Sequence, residues 1–463
     1  MSEPLWTSTE IVAATGGALA GEAFAATGVS IDTRTIESGD LFVALAGVRD
    51  GHDFIDQALA KGASGALASR PGAGARIVVG DTLTALEQLG IAGRERASSA
   101  LRGAVTGSVG KTSVTQAIAA GLKLAGPAHT SVHSYNNHIG VPLTLARMPR
   151  GTRRAIFEIG MNHADEIAPL SRMVRPAAAA ITTVGPVHVE NFPYGEIGVA
   201  RAKAEIFAGM AAGGTAILNA DNPWFELLKG EAVRAGCRVQ AFGSGAACDA
   251  RLVDIVPQAE GLRIVAELNG RKVDFAIRQT GVQWGLNSLA VLLMFEALDV
   301  DLAAGLQALS AFAPLEGRGV ETTIVMKGGD FTLIDDSFNA NSLSMIAALK
   351  TLGGRRAAGR RIVALTDMLE LGEMSAGLHA ALAEPVAEAK VDLVFCAGPL
   401  MRSLWEALPP TRRGGYADSA AELEPRLAGA VRPGDVVLVK GSKGSKASAL
   451  ARALAGLGAG EMG

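Results

Sequence analysis

A glycine-rich loop ending in lysine sets the tightest limit on what this chain can fold into. Leu101-Arg102-Gly103-Ala104-Val105 is a short strand candidate. Thr106-Gly107-Ser108-Val109-Gly110-Lys111-Thr112 follows directly, and residues 113–124 have helical periodicity. Glycines let a backbone turn tightly enough for several N–H groups to face one anion, and the helix N-terminus adds the positive end of its dipole. Lys111 can reach terminal phosphates and Thr112 can ligate Mg²⁺. The full phosphate-loop pattern has a glycine five places before Gly110, where this chain has Val105. That departure points away from a generic kinase or GTPase.

The rest of the chain repeats the strand–helix alternation. Its 463 residues suggest about three domains at ~150 residues each. With 49% hydrophobic and 19% charged residues it reads as globular, neither disordered nor fibrous. Strand candidates 41–46 and 75–79 and a helix at 54–61 make a small α/β segment, residues 1–82, and a helical run at 83–97 links it to the next. Strand candidates 155–159, 178–184 and 215–218 and a β-rich stretch 251–277 fill residues 83–312, closed by helical runs at 287–298 and on to about Phe312. Residues 313–463 open with a hairpin, strands 322–326 and 331–334 flanking Gly328-Gly329-Asp330. Strands 361–365, 393–396 and 436–439 then alternate with helices 343–352, 377–390 and 420–428. The expected fold is three α/β domains: a small N-terminal one, a central mainly parallel phosphate-loop sheet, and a C-terminal Rossmann-like one.

Charge and cysteine content exclude several classes. A net charge of −3 offers no basic excess for nucleic acid. Cys237, Cys248 and Cys396 lack metal or redox spacing, which suits a reducing compartment. The start, Met1-Ser2-Glu3-Pro4, has no basic and apolar leader, and no apolar stretch is long enough to span a bilayer. A cytoplasmic protein is expected.

Phosphoryl transfer needs Mg²⁺ and positive charge, and in open α/β sheets ligands for both gather at strand ends. Glu158 closes an apolar strand; it serves a cation or a salt bridge to Arg153 or Arg154. His188 lies in a loop just past a strand, where a lone histidine is ordinarily solvated. Lys203, on a helical run 195–210, shares an apolar stripe with Val199, Ile206 and Met210. Such a lysine either snorkels to water or is held with a lowered pKa, its neutral amine open to carbamylation. Asp335 and Asp336, Asp367, and Lys440, Ser442 and Lys443 end three strands of the last segment. Together they suggest one edge of a cleft; singly, Asp336 or Ser337 could cap the following helix.

These motifs resemble the Mur ligases nearly end to end. Ser30-Ile31-Asp32-Thr33-Arg34, Gly39 to Ala44 and Arg49 to Phe54 look like the uridine-nucleotide-binding segment, and the family's shortened loop accounts for Val105. Asn136-Asn137-His138-Ile139-Gly140-Val141-Pro142, Phe157-Glu158-Ile159-Gly160-Met161-Asn162, Gly185 to Glu190 and Lys203-Ala204-Glu205-Ile206-Phe207 look like the central motifs. Asp335-Asp336-Ser337-Phe338-Asn339-Ala340-Asn341, Asp367-Met368-Leu369-Glu370-Leu371-Gly372 and Lys440-Gly441-Ser442 look like the members that add D-alanyl-D-alanine. The Asp-Asn-Pro-Arg motif of the preceding ligase is missing; Asp221-Asn222-Pro223-Trp224 is central and not its equivalent. Leu286 stands beside Asn287 where the family often has histidine, Phe338 replaces a common tyrosine, and Arg318 matches an interdomain arginine.

The resemblance implies an ATP-dependent amide ligase acting through an acyl phosphate, with two Mg²⁺ and a carbamylated Lys203. Lys111, Lys203, Glu158 and His188 would be catalytic, and Thr112, Glu158, His188 and Lys203 would hold metal. Gly107, Ser108, Val109, Gly110, Lys111, Thr112, Ser113, Asn287, Arg318 and Asp336 would hold the nucleotide. Ser30, Asp32, Thr33, Arg34, Asn136, Asn137, Asn339 and Asn341 would hold substrate. The partners implied are UDP-N-acetylmuramoyl-tripeptide and D-Ala-D-Ala, with no nucleic acid and no membrane span, on a monomer. The alternatives are a related ligase with another acceptor, a P-loop kinase, or a non-catalytic nucleotide-binding protein.

Overall fold

Three neighbouring parallel strands set the geometry of the middle of the chain. In the computed structural model, which describes residues 3–132, 134–258, 260–355 and 357–458, Leu101–Thr106 lies between Arg154–Glu158 and Ala178–Ile181. Glu158 pairs in register with Val105, and Ile181 with Thr106, so three strand ends finish level. Successive residues point to opposite faces. Ala104, Phe157 and Ile181 therefore join one buried cluster, while Val105, Ile156 and Ala180 join the other with Val114, Ile118 and Phe295. Helices cover both faces, as a parallel sheet requires. Val105 is fully buried. The strand runs one residue past the reading from sequence, to Thr106, and the turn is correspondingly short.

The central sheet has nine strands. Their order is Arg271–Ile277, Gly261–Leu268, Ala250–Gln258, Arg238–Gly243, Thr215–Asn219, Ala178–Ile181, Leu101–Thr106, Arg154–Glu158 and Ala128–Thr130. The β-rich stretch forms an antiparallel meander on one end of this sheet. An N-terminal sheet sets Gly28–Ser30, Asp40–Val43, Gly65–Ala68 and Arg76–Val78 parallel, with Ala18–Ala20 antiparallel at the edge. A C-terminal sheet runs Val320–Met326, Gly329–Asp336, Val436–Lys440, Arg361–Thr366, Leu393–Ala397 and Arg413–Ala417, with only the first pair antiparallel. The α/β expectation holds for all three. Among the described residues, no helix is long and apolar enough to cross a membrane.

Several sequence expectations change. The hairpin turn is Lys327-Gly328, because Met326 pairs with Gly329; Gly329 and Asp330 belong to the strand. The expected helix 377–390 is two, Ser375–Ala380 and Ala383–Glu388. Pro385 has no N–H to donate to the preceding turn and sits in the first turn of the second helix, where that N–H is not needed. The run 195–210 is an α-helix, Glu196–Ala204, then a 3-10 turn, Glu205–Gly209, leaving Met210 outside. The strand expected at 178–184 stops at Ile181. Short strands at Ala128–Thr130 and Arg413–Ala417 carried no readable alternation. In the latter, Gly414 and Gly415 lie under the Phe395 ring.

The helix Thr82–Arg96 ties the first sheet to the second by packing on Gly140–Ala146. A Cβ on Gly93 would lie 2.5 Å from the Leu145 carbonyl oxygen, and one on Gly90 2.8 Å from that of Pro142. Trp6 Nε1 donates to Ala146 O at 2.8 Å across the same boundary, and Arg147 Nε to Val29 O at 2.6 Å. Gly93→Val should cost about 1–3 kcal/mol by overpacking, read as a lower denaturant midpoint. His129 supplies a pH test. Its enclosed imidazole contacts Thr144 O at 2.7 Å, and burial pushes its pKa down to about 4. The unfolded chain takes up that proton below pH ~6.5, the folded one only near 4. Stability should therefore fall as pH drops between those values, by about 1–3 kcal/mol for this part-buried residue. His129→Gln should flatten that slope in chemical denaturation at stepped pH.

Candidate active site

The glycine loop is held in place by the strand end beside it. Gly107 has φ +149°, and a Cβ there would sit 2.0 Å from Thr182 Oγ1, so only glycine allows this approach. Thr182 N donates to Thr106 O at 3.0 Å, and Ser108 N to Thr183 O at 2.8 Å. Ser108 Oγ donates to Gly185 O at 3.1 Å and accepts from Gly185 N at 3.0 Å. Gly110, φ +87°, then opens the helix Lys111–Leu124. The loop amides stand at a helix N-terminus, where anions bind.

Lys111 folds back on this loop, with Nζ donating to Gly107 O at 2.7 Å. Burial lowers its pKa, partly offset by Glu158 and reinforced by Arg318. Glu158 is only 2% exposed and makes no salt bridge to Arg153 or Arg154. Arg154 turns instead to Leu298 O, at 2.7 Å, and to Asp299. The Glu158 carboxylate accepts from Ser134 Oγ at 2.9 Å and Asn136 Nδ2 at 2.6 Å. Thr112 Oγ1 donates to the same Ser134 hydroxyl at 3.3 Å, which joins the loop to the carboxylate.

Lys203 does not snorkel. It is 3% exposed, and its ammonium has no hydrogen-bond or ion-pair partner among the described residues. Burial, and next the charge of Lys111, hold its pKa well below the ordinary lysine value. His188 has backbone φ +57°, and its Nδ1 lies 2.6 Å from Glu370 Oε2 of the third sheet's loops. Burial lowers its pKa and Glu370 counteracts.

The third sheet closes the site from the other side. Arg318 sits between Gly317 and Gly319, both at positive φ. Its guanidinium lies 4.0 Å over the Phe338 ring and donates to Thr112 Oγ1 at 3.1 Å. Lys440 Nζ pairs with Asp336 Oδ2 at 2.7 Å and donates to Asn339 O at 3.1 Å. Burial raises the Asp336 pKa, and Lys440 pulls it back. Neither Asp336 nor Ser337 caps the next helix. Asn341 does, accepting from Ser344 N at 3.0 Å, while Asp335 Oδ1 accepts from Ser337 N at 3.1 Å in a local turn.

These groups line one cleft of about 360 Å³. Its wall includes residues 108–113, Glu158, Asn136, Asn287, Arg318, Asp336, Asn339 and Asn341. His188 and Lys203 are not part of that wall, but lie near enough to Lys111 to feel its charge. Ser30, Asp32, Thr33 and Arg34 lie away from it on the first sheet. There Arg34 forks onto Asp32, whose pKa falls to about 2, and Thr33 Oγ1 donates to Gln57 at 3.2 Å. Asn137 Oδ1 accepts from Gly140 N at 2.9 Å, just before the helix Gly140–Ala146. Sequence reading missed Ser134, Asn219 and Trp284 on the cleft wall. Asn219 ends the strand Thr215–Asn219, so the search of strand ends could have found it. Ser134 lies in an irregular loop and gave no signal.

The arrangement suits transfer of a phosphoryl group, with loop amides, Lys111 and Arg318 converging where charge would develop. The ion pair beneath it is testable. Lys440→Met leaves Asp336 with an uncompensated carboxylate and should cost about 3 kcal/mol in denaturant unfolding. The double variant with Asp336→Asn should recover most of that loss.

Comparison with known proteins agrees along the whole chain. Residues 25–97 match the model for the Mur ligase family catalytic domain, 105–295 the Mur ligase middle domain, and 322–443 the Mur ligase glutamate ligase domain. The UDP-N-acetylmuramoyl-tripeptide–D-alanyl-D-alanine ligase of Bacillus subtilis is 32% identical, over 90% of this chain and 91% of its own. The enzyme of that name from Escherichia coli is 34% identical, over 95% and 96%. A crystal structure of MurF from Acinetobacter baumannii superposes with a TM-score of 0.86 at 28% identity, covering 98% of this chain and 99% of that one.

Proposed function

The chain belongs to the Mur ligase family, and from that premise we propose that it joins D-alanyl-D-alanine to UDP-N-acetylmuramoyl-tripeptide, driven by ATP, in peptidoglycan precursor synthesis. The observation that carries this is the cleft itself, where the phosphate loop of one sheet meets Arg318, Asp336 and Lys440 of another. A carboxylate oxygen of the tripeptide would bond to the γ-phosphorus as the β–γ bridge breaks. The dipeptide amine would then bond to the acyl carbon as the carbon–oxygen bond to phosphate breaks, and the nitrogen would give up a proton to the departing phosphate or to solvent. Lys111 would leave the Gly107 carbonyl for the transferring phosphate. Arg318 would hold the nucleotide against the loop, and Asn287 and Asp336 would complete its seat. Walls from two sheets would keep water from the acyl phosphate. A kinase reading lacks a role for the buried Lys203 and for the third sheet's cations.

The donor set fits Mg²⁺, which ordinarily takes one or two carboxylates plus substrate phosphates. Thr112, Glu158 and His188 would hold it, with Lys203 as its carbamate. When bound, the metal would supply Lewis-acid neutralisation of phosphate oxygens. The fit for Lys203 rests on its burial with no partner among the described residues: a carbamate would turn that cation into an anionic oxygen donor. We further propose that Ser30, Asp32, Thr33, Arg34, Asn136, Asn137, Asn339 and Asn341 serve the substrates. The proposed units are residues 1–82, 83–312 and 313–463, in a cytoplasmic monomer, because one chain supplies every group named.

Supplied with ATP, Mg²⁺, UDP-N-acetylmuramoyl-tripeptide and D-Ala-D-Ala, the protein should release phosphate only when the dipeptide is present, and mass spectrometry should find the pentapeptide product. Phosphate release without any dipeptide dependence would sink the reading. Lys203→Ala should lower turnover by about 100-fold or more; full activity without bicarbonate would remove the carbamate role.

A further inference from the structure

The Asp367 to Gly372 loop has no task in the reaction as derived so far, yet it is braced with unusual care. Asp367 accepts from Met401 N at 2.9 Å, and its carbonyl accepts from Ser442 N at 3.1 Å. Met368 N donates to the fully buried His379 at Nε2, 3.0 Å, and Leu369 N donates to Ser442 Oγ at 3.0 Å. The next residue, Glu370, is a non-glycine at φ +64°, a conformation that costs energy and persists only where its surroundings hold it. From there its carboxylate reaches His188 Nδ1, at 2.6 Å, on the central sheet's loop. His188 is itself at φ +57°. Two unfavourable backbones thus face each other across the boundary between sheets. Gly372 (φ +53°) brings the loops close, since a Cβ there would lie 2.9 Å from Glu190 Cβ.

His188 Nδ1 is buried, and Glu370 Oε2 is its close acceptor, set off the line of a straight hydrogen bond. A carboxylate on one ring nitrogen fixes imidazole orientation and leaves the other nitrogen as the free donor atom. We propose that Glu370 is the positioning residue for His188. Carried on the third sheet's braced loop, it holds the imidazole in its place near Lys111 only when the second and third sheets are together. The C-terminal segment thereby helps assemble the metal-binding side of a site whose phosphate loop lies elsewhere. This inference rests on the ligase reading above for the role of His188.

The test compares Glu370→Ala and Glu370→Gln with a control, Glu373→Gln, which removes a like charge from a neighbouring exposed residue of the same loop region. Glu370 is half-exposed, so its variants should fold. In metal-free protein, amide exchange over residues 185–191 should speed up several-fold in Glu370→Ala and not in the control. In turnover, the Mg²⁺ concentration for half-maximal rate should rise about 10-fold or more, with Glu370→Gln between alanine and wild type and with KM for the dipeptide little changed. Unchanged exchange together with an unchanged Mg²⁺ requirement would overturn the proposal. So would an equal effect from Glu373→Gln, which would make loop charge the cause. A wild-type protein with no dipeptide-dependent phosphate release would instead defeat the ligase reading, while the metal-free exchange comparison would still decide whether Glu370 holds the His188 loop.

Discussion

Buried charge without a matching partner is the constraint around which the middle of this molecule is organised. Lys111, Lys203 and Arg318 converge behind or along one cleft, and Glu158 is the one carboxylate among them that the central sheet supplies. Asp336 is already engaged by Lys440. A protein interior does not keep unpaired cations cheaply. Loop amides at a helix N-terminus beside that surplus form a setting that favours an anion, and burial together with Lys111 favours the neutral form of Lys203.

The surrounding architecture supplies that charge with fixed positions. Level strand ends put the loop, Glu158 and Thr182 side by side, so the distances among them follow from sheet register rather than from flexible loops. Gly107 is tied to Thr182 by a contact that no side chain at that position would allow. The third sheet contributes from a different direction. Arg318, flanked by two glycines and laid on Phe338, reaches the first turn of the phosphate helix. Phe338 lacks a tyrosine's hydroxyl but keeps the aromatic face that carries the guanidinium.

Much of this was readable along the chain, and the limits have physical causes. Fully buried parallel strands are continuous apolar runs, so Leu101–Thr106, Arg154–Glu158 and Ala178–Ile181 announce themselves within a residue or three at each end. Polar residues just after such runs are costly unless used, which singled out Glu158, Asp336 and Lys440. The same logic failed where local signals ran out. Ser134 lies in an irregular loop, helical periodicity runs on through the break before Pro385, and Arg153 and Arg154 lie close enough in sequence to Glu158 to suggest an ion pair that the fold does not make. Lys203 on an apolar stripe was ambiguous between a snorkelling and an enclosed lysine, because helical periodicity tells which face a residue occupies and not what covers it.

The order of residues by itself determined the α/β class, the glycine-rich loop, the polar residues at strand ends and the resemblance to the Mur ligases, since each is a local pattern of spacing and residue type. Only the tertiary structure decided that Ser134 and Asn136 hold Glu158, that Lys203 is buried with no partner among the described residues, and that Arg318 and Glu370 reach across from another sheet to Thr112 and His188. Those contacts join residues far apart in the chain. Their existence depends on how three separately wound sheets pack, and periodicity carries no information about the packing of one sheet against the next.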